Sequence, residues 1–265
     1  MRPLFVLLFP MLFLPLSLAA QPGGASPLLL SLEGTGGVGL YRDMGAGPLI
    51  LKGPELAGGA RVEQSLAQWR WDAGLGLHVG TYGYSFRLSS LFTYGGQLSA
   101  HCELLRRAYC DGGWTLWAGV RVDDLFDIRY NPQHNNSSVG MSNFIRLRLS
   151  GRCEYRWARW MAYLQAWADP LVLMLRPGFS YVNNYDRDVS NPVACAFDQY
   201  QWYLAGCTGL ATQVGVRRSL SSGNEVGLAY CWQYLTSRVS ADGLKAPWRF
   251  QQASHGLTFQ LIFNL

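Results

Sequence analysis

The stretch 257–265 reads LTFQLIFNL, with Leu257, Phe259, Leu261, Phe263 and Leu265 at alternate positions. Successive side chains of a β-strand point to opposite faces of the sheet, so these apolar residues share one face. The other face is mainly polar and carries the intervening residues, which are Thr258, Gln260, Ile262 and Asn264. The stretch predicts a strand between an apolar and a polar environment. A strand of a soluble β-sandwich would alternate in the same way, so the choice depends on the rest of the chain.

The same period of two recurs in long segments upstream. One face of the segment 144–157 carries Arg146, Arg148, Ser150, Arg152, Glu154 and Arg156, and the other carries Ile145, Leu147, Leu149, Gly151, Cys153, Tyr155 and Trp157. The segment 68–79 alternates as clearly, and weaker alternation covers residues 28–41, 54–64, 93–104, 114–123, 161–169, 202–216 and 226–236. Strands of about 9–11 residues cross a bilayer at a tilt, whereas most strands of soluble domains have about 5–6 residues. The segment lengths therefore favour membrane-crossing strands.

The connections between these segments alternate in length. Short turns are predicted at 65–67, 106–112, 158–159 and 219–224, and longer polar loops at 42–53, 80–85, 127–142, 177–197 and 238–247. Outer-membrane barrels have short periplasmic turns and longer external loops. The pattern predicts ten strands with both chain ends on the periplasmic side. Twelve strands is the alternative, if Pro170 or the region 205–209 divides a long segment.

The composition agrees with a membrane protein. Apolar residues make up 49% of the 265 residues and charged residues only 15%, and the chain has 14 Tyr, 12 Phe, 10 Trp and 30 Gly. A chain so poor in charge is expected to hide apolar surface from water. No stretch of 18 or more apolar residues occurs after residue 20. Because only helices and closed barrels satisfy their backbone hydrogen bonds in hydrocarbon, a membrane location implies a barrel.

Residues 1–20 are predicted to be a cleaved signal peptide, with Arg2 before the apolar run 4–18 and a cleavage motif at Ser17-Leu18-Ala19 or Leu18-Ala19-Ala20. An N-terminal membrane anchor is the alternative. Residues 21–265 are then predicted to form a single all-β domain, a closed antiparallel up-and-down transmembrane barrel in the outer membrane of a Gram-negative bacterium. A secreted soluble β-sandwich or jelly roll is the alternative fold.

The inward face of the predicted barrel carries charges of both signs. The residues assigned to it are Arg70, Asp72, His101, Glu103, Arg121, Asp123, Arg146, Arg148, Arg152, Glu154, Arg156, Asp169 and Glu225. A barrel of about eight strands has an interior that side chains can fill. We expect an ion-pair network that fills the lumen of a barrel with a structural or surface-interaction role. The alternative is a porin-like narrow channel for small anionic solutes, indicated by the arginines of the segment 144–157.

A lipid-modifying hydrolase is a second alternative. Outer-membrane phospholipases and lipid A deacylases use a His and a Ser close together on a strand, and the nearest arrangement here is His134 with Ser137. Two residues separate them, whereas the motif of those families has one between them. They are therefore weak catalytic candidates, and no catalytic residue is assigned. His255 is expected to face outward, towards an interfacial tyrosine or lipid.

The six cysteines stand at 102, 110, 153, 195, 207 and 231 and lack Cys-x-x-Cys spacing, so neither a metal site nor a cofactor is expected. The pairs Cys102–Cys110 and Cys195–Cys207 are candidate disulfides, and small wall residues are the alternative. The net charge of +5 is too small to indicate nucleic-acid binding. The expected partners of this monomeric barrel are outer-membrane lipid and lipopolysaccharide, with a surface or periplasmic protein as a further candidate.

Several short motifs resemble an uncharacterised outer-membrane β-barrel family of Bacteroidetes. They are Tyr41-Arg42, Pro48-Leu49, Gly53-Pro54, Tyr130-Asn131, Asn135-Asn136 and His255. The resemblance implies a barrel in the outer membrane and brings no established activity, substrate or catalytic residue. The final residue of that family is commonly aromatic, and Leu265 departs from it.

Overall fold

The computed structural model describes residues 27–43, 50–83, 92–132, 139–177, 200–204, 207–239 and 248–265. Every regular element in these ranges is a β-strand. The strands are β1 (Leu29–Asp43), β2 (Leu51–Ser65), β3 (Trp69–Gly83), β4 (Phe92–Asp111), β5 (Trp114–Tyr130), β6 (Val139–Trp157), β7 (Trp160–Pro177), β8 (Tyr200–Leu204), β9 (Cys207–Ser219), β10 (Glu225–Val239) and β11 (Trp248–Asn264). Among the described residues, no helix is long and apolar enough to span a membrane.

The strands form one closed antiparallel sheet. Strands that are neighbours in sequence pair with each other except β8 and β9, β1 pairs with β11, and the pairing of β6 with β7 closes the ring. Both β8 and β9 pair with β7, through Leu173–Pro177 and Trp160–Ala168 respectively, so the two occupy one position. The barrel therefore has ten strand positions, which confirms the prediction of ten. The end of β8 and the start of β9 fall at the region considered for twelve strands, but the two strands together add no second position.

Short turns gather at one end of the barrel, which we call the turn end, and the opposite end is called the loop end. The turns are 66–68, 112–113, 158–159 and 220–224, and residues 27–28 and 265 lie at the same end. The prediction for the second turn was wrong, because β4 continues to Asp111 and turns within Gly112-Gly113, both at positive φ. Glycine adopts that backbone conformation without a Cβ clash, so a two-residue turn is sterically accessible here.

The apolar residues of the barrel face outward and its polar residues face inward. In β11, Leu257 is 58% exposed and Phe259 is 53% exposed, whereas Gln260 between Phe259 and Leu261 is fully buried. The other strands whose side chains are described show the same polarity, with outward Leu, Val, Trp and Tyr side chains. A soluble barrel would have the opposite arrangement, so the outer wall is built for contact with lipid.

One irregularity changes which face the residues of β7 present. Leu147 pairs with Leu171 and Leu149 pairs with Ala168, so Asp169 and Pro170 together oppose Arg148 as a β-bulge. Proline has no N–H to give to the sheet and is tolerated at a bulge. Pro170 therefore does not end the strand. It shifts the inward face of β7 from odd to even residues.

Candidate functional site

A charged cluster fills the interior near the turn end. Glu63 on β2 accepts hydrogen bonds from Arg70 on β3, with an N–O distance of 2.9 Å, and from Arg217 on β9, at 2.8 Å. Around the ring of ten strand positions, three positions separate β2 from β9 in one direction and five in the other. The ion pair of Glu63 with Arg217 therefore crosses the barrel. Arg70 also donates to Glu154 on β6 at 2.5 Å, and Arg152 donates to the same carboxylate at 2.7 Å. We call these residues and Arg61 the turn-end cluster.

A second cluster lies on the wall formed by β5, β6 and β7, and we call it the middle cluster. Asp123 accepts from Arg121 at 2.6 Å and from Arg148 at 2.8 Å, and Arg146 lies 3.1 Å from it. Arg148 also donates to Asp169 at 2.6 Å. The bulge at Pro170 keeps Asp169 on the inward face, directly opposite Arg148. Three guanidinium groups thus share two carboxylates.

Glu103 on β4 receives three hydrogen bonds inside the barrel. The donors are Ser150 at 2.5 Å, Gln165 at 2.7 Å and the indole N–H of Trp167 at 2.8 Å. Gln165 in turn accepts from Arg152 of the turn-end cluster at 2.8 Å. Buried polar groups need such partners because an unsatisfied donor or acceptor is costly away from water. The neighbouring interior pair is Asp72 with His101, 3.0 Å apart.

The loop-end half of the interior contains an apolar cluster. Its buried members are Tyr41, Tyr82, Leu125, Phe144, Val172, Met174, Leu235 and Phe250, contributed by β1, β3, β5, β6, β7, β10 and β11. The ring centroids of Phe144 and Phe250 lie 5.2 Å apart, and those of Tyr41 and Phe250 lie 5.7 Å apart. The strands β6 and β11 are on nearly opposite sides of the ring, so these aromatic side chains meet across the lumen. Arg129 stacks over Tyr41 with its Cζ 4.1 Å from the ring centroid.

A polar cavity of about 290 Å³ lies between the apolar cluster and the turn-end cluster. Leu125 lines it on one side and Arg61 on the other. Arg121, Arg146 and Arg148 of the middle cluster form one wall. The facing wall carries Glu33 on β1 together with neutral hydrogen-bonding groups, which are those of Thr35, Gln213, Gln233, Ser254 and Thr258. The cavity therefore presents guanidinium groups opposite mainly neutral polar side chains.

The structure brings together most of the charged residues assigned to the interior from the sequence. Arg70, Arg152 and Glu154 meet in the turn-end cluster, and Arg121, Asp123, Arg146, Arg148 and Asp169 in the middle cluster. Arg156 stands apart, because its side chain is 63% exposed at the turn end, 3.6 Å from Glu154. Glu225 also stands apart, since it is half-buried and accepts from Ser219 at 3.0 Å.

Sequence reasoning missed several interior charges on β1, β2, β5 and β9. They are Glu33, Glu55, Arg61, Glu63, Asp127, Arg129 and Arg217. The sequence carries a signal for them. Glu55, Arg61 and Glu63 all have odd numbers and therefore share one face of β2, and Arg217 lies on the same face of β9 as Gln213. Together with the assigned residues they give seven buried arginines and eight buried carboxylates in the described part of the chain. The interior charge is therefore close to balanced.

Other predicted positions lie elsewhere. The catalytic candidates His134 and Ser137 fall outside the described residues, as do Cys195 and the predicted signal peptide. The candidate disulfide between Cys102 and Cys110 is wrong, because both are free thiols on the same strand, β4. A strand rises about 3.4 Å per residue, which separates positions 102 and 110 by roughly 27 Å. His255 lies on the outward face of β11, with its Nδ1 3.2 Å from the Tyr230 hydroxyl, as expected.

In the described ranges, no cluster of three or more His, Cys, Asp or Glu side chains is arranged to hold a metal ion.

The barrel is similar in fold to outer-membrane proteins of known structure. It aligns with the outer-membrane protease OmpT from Escherichia coli at a TM-score of 0.54 and 8% identity, over 92% of this chain and 99% of that one. It also aligns with neisserial surface protein A, at a TM-score of 0.38 and 9% identity, over 90% of this chain and 99% of that one. The translocator domain of the autotransporter NalP from Neisseria meningitidis aligns at a TM-score of 0.41 and 9% identity, over 96% and 95%.

No family model and no curated protein matches the sequence. The likeness to solved structures shows the fold alone. Taken with the outward apolar wall and the alternation of short turns and longer connections, this fold defines the chain as an outer-membrane β-barrel.

Proposed function

We propose that this barrel is closed by its own side chains and has a structural or surface-interaction role rather than a transport role. The observation that carries the proposal is the contact of Phe144 with Phe250 across the lumen. Seven strands contribute to the apolar cluster around that contact, and its members are buried. With the side chains of the described residues packed in this way, we expect no continuous aqueous path past these rings. Below them, the pair of Glu63 with Arg217 crosses the barrel a second time.

Charge compensation supports the same proposal. A channel selective for anions needs positive charge that is free to meet the passing ion. Here Arg148 donates to both Asp123 and Asp169, and Arg70 donates to both Glu63 and Glu154. These arginines are engaged with carboxylates, so their charge serves to hold the strands together across the interior. A surface role would then fall to the connections at the loop end, the longest of which joins Pro177 to Tyr200.

Single-channel recording in planar bilayers tests the closed lumen. The wild-type protein is expected to give no discrete conductance steps at any applied voltage. The double variant Phe144→Ala/Phe250→Ala removes the rings that meet across the barrel and is expected to give small steps. Leu257→Ala on the outward face is the matched control and should remain silent. Discrete steps from the wild-type protein would overturn the proposal.

A narrow channel for small anions is the second candidate, and the polar cavity favours it. Three arginines of the middle cluster share two carboxylates, and the Nε of Arg146 is buried with no hydrogen-bond partner in the described part of the chain. If the wild-type protein conducts, Arg146→Gln/Arg148→Gln should reduce its preference for anions over cations. An unchanged reversal potential in that variant would exclude this candidate.

A further inference from the structure

The lipid-facing wall of the barrel contains a groove over β6, β7 and β9. Small residues form its floor, because Gly151, Ala166 and Thr212 are register neighbours across the three strands. A Cβ added at Gly151 would meet no atom within 4 Å, so this position opens outward. Ala162 and Ala168 lie on the same outward row of β7, and exposed Leu164 stands between Ala162 and Ala166 in that row. Two adjoining depressions of about 650 and 370 Å³ mark the groove on the surface.

Larger side chains stand on both sides of this floor. Tyr155 on β6 pairs in register with Ala162, which pairs with Val216, and Val216 pairs with Leu228 on β10. Further from the turn end, Trp232 bounds the depression over Ala166. The lining is almost entirely apolar. An unbranched hydrocarbon chain fits such a groove, since it would gain contacts on the floor and along both sides.

The groove ends at an aromatic and basic rim on the turn end. Trp157, Trp160 and Arg218 form the next register row, and the Cζ of Arg218 lies 5.3 Å from the centroid of the Trp160 ring. Arg159 in the β6–β7 turn and Arg156 are also exposed. Among the described residues at this end, one acidic side chain is exposed, that of Asp111 on the β4–β5 hairpin. The rim therefore complements an anionic group.

The length of the groove matches one leaflet of a bilayer. The strand rises about 3.4 Å per residue, so the path from Trp160 to Ala168 covers roughly 27 Å. At the usual tilt of about 45° this corresponds to a depth of roughly 19 Å, slightly more than half of a hydrocarbon core of about 30 Å. Short turns face the periplasm in barrels of this class, so the groove lies in the periplasmic leaflet. That leaflet consists of phospholipid.

We propose that the groove is a binding site for one glycerophospholipid with an anionic headgroup. One acyl chain lies over Ala162, Ala166 and Ala168, and the phosphate lies at Arg159 and Arg218. Trp160 is at the level of the glycerol backbone, where aromatic side chains are favoured. The site goes beyond a closed-lumen function, because it uses only the outward wall and does not depend on whether the barrel conducts.

Native mass spectrometry of the full-length protein in detergent tests the site, with phosphatidylglycerol and phosphatidylcholine as probes. The wild-type protein should bind one phosphatidylglycerol in preference to phosphatidylcholine. Each arginine near an anionic surface increases the binding constant by about fivefold. The double variant Arg159→Gln/Arg218→Gln should therefore weaken phosphatidylglycerol binding by roughly tenfold or more. Ala166→Phe fills the floor and should weaken binding of both lipids. All three positions point away from the interior, so heat-dependent gel mobility should show folded barrels.

The matched control is Arg106→Gln/Arg107→Gln, which removes the same charge from the turn end at β4, away from the groove. This control should keep the preference for phosphatidylglycerol. The proposal is overturned if the control loses as much binding as Arg159→Gln/Arg218→Gln, since general attraction to the basic end would then explain the result. It is also overturned if the wild-type protein shows no preference, or if Ala166→Phe binds both lipids normally.

Discussion

Replacing Glu63 with glutamine should destabilise the barrel more than any change at the exposed rim. The carboxylate accepts from Arg70 and Arg217, and Arg61 lies 3.8 Å away. All four side chains are less than one-tenth exposed. Glutamine keeps the size of the side chain but removes its charge, which leaves three buried guanidinium groups facing one another. In the described part of the chain, the carboxylate that forms an ion pair with Arg217 is that of Glu63. The substitution therefore removes the counter-charge of Arg217.

The expected cost follows from the two hydrogen bonds. Charge-assisted bonds contribute about 1.5–3 kcal/mol each, and breaking a buried ion pair from one side costs about 3–5 kcal/mol. We therefore expect Glu63→Gln to lower the free energy of unfolding by about 3–5 kcal/mol. Urea unfolding in lipid vesicles, followed by tryptophan fluorescence, measures this quantity by linear extrapolation.

Two further variants separate the charge effect from other causes. Glu33→Gln also removes a carboxylate bonded to Arg61, at 2.9 Å, but its side chain is one-quarter exposed and water can replace it. Its cost should be below about 1 kcal/mol. Adding Arg217→Met to Glu63→Gln should recover part of the lost stability, because the uncompensated charge is removed. The reasoning is refuted if Glu63→Gln unfolds within about 0.5 kcal/mol of the wild-type protein.

Two other predictions concern the wall of the barrel and use the same unfolding measurement. Leu257→Arg places a charge on the lipid face in the middle of β11 and should lower the free energy of unfolding by about 2–4 kcal/mol. Leu220→Arg, in an exposed turn, should have little effect. Equal effects of the two substitutions would show that Leu257 does not face lipid. Gly119→Ala would bring its Cβ into the Leu104 carbonyl oxygen and should cost about 1–3 kcal/mol, whereas Gly151→Ala has open space and should be neutral. A neutral Gly119→Ala would contradict the close approach of β4 and β5.

The alternation of residue types predicted most of the architecture, because a strand that separates lipid from a polar interior must repeat with a period of two. The segment 257–265 shows this directly, and the inward parity of Arg70, Arg146 and Arg148 follows from the same rule. The first two strands are harder to recognise in the sequence. β1 and β2 have glycine at many positions of both faces, so their apolar contrast is weak although their inward charges are real.

The apolar cluster could not be predicted from alternation alone. Phe144 has the same parity as Arg146, and Phe250 has the same parity as Gln252, so two large apolar residues lie on polar faces. Only the closure of the ring shows that these rings meet across the interior. The bulge at Asp169–Pro170 is a second case, because a proline within a strand pattern indicates either an end or an irregularity. The choice depends on pairing with β6, which is not local in sequence.

We conclude that the strands cross a bilayer with an apolar outer face and an interior filled by side chains. Spin labels placed singly at positions 256 to 263 of β11 in reconstituted vesicles test it most directly, read out by their accessibility to oxygen and to a water-soluble nickel complex. Labels at Leu257, Phe259 and Leu261 should show high oxygen accessibility, and labels at Thr258, Gln260 and Ile262 should be shielded from both reagents. Uniform access of the nickel complex along the strand, or loss of the period of two, would contradict the claim.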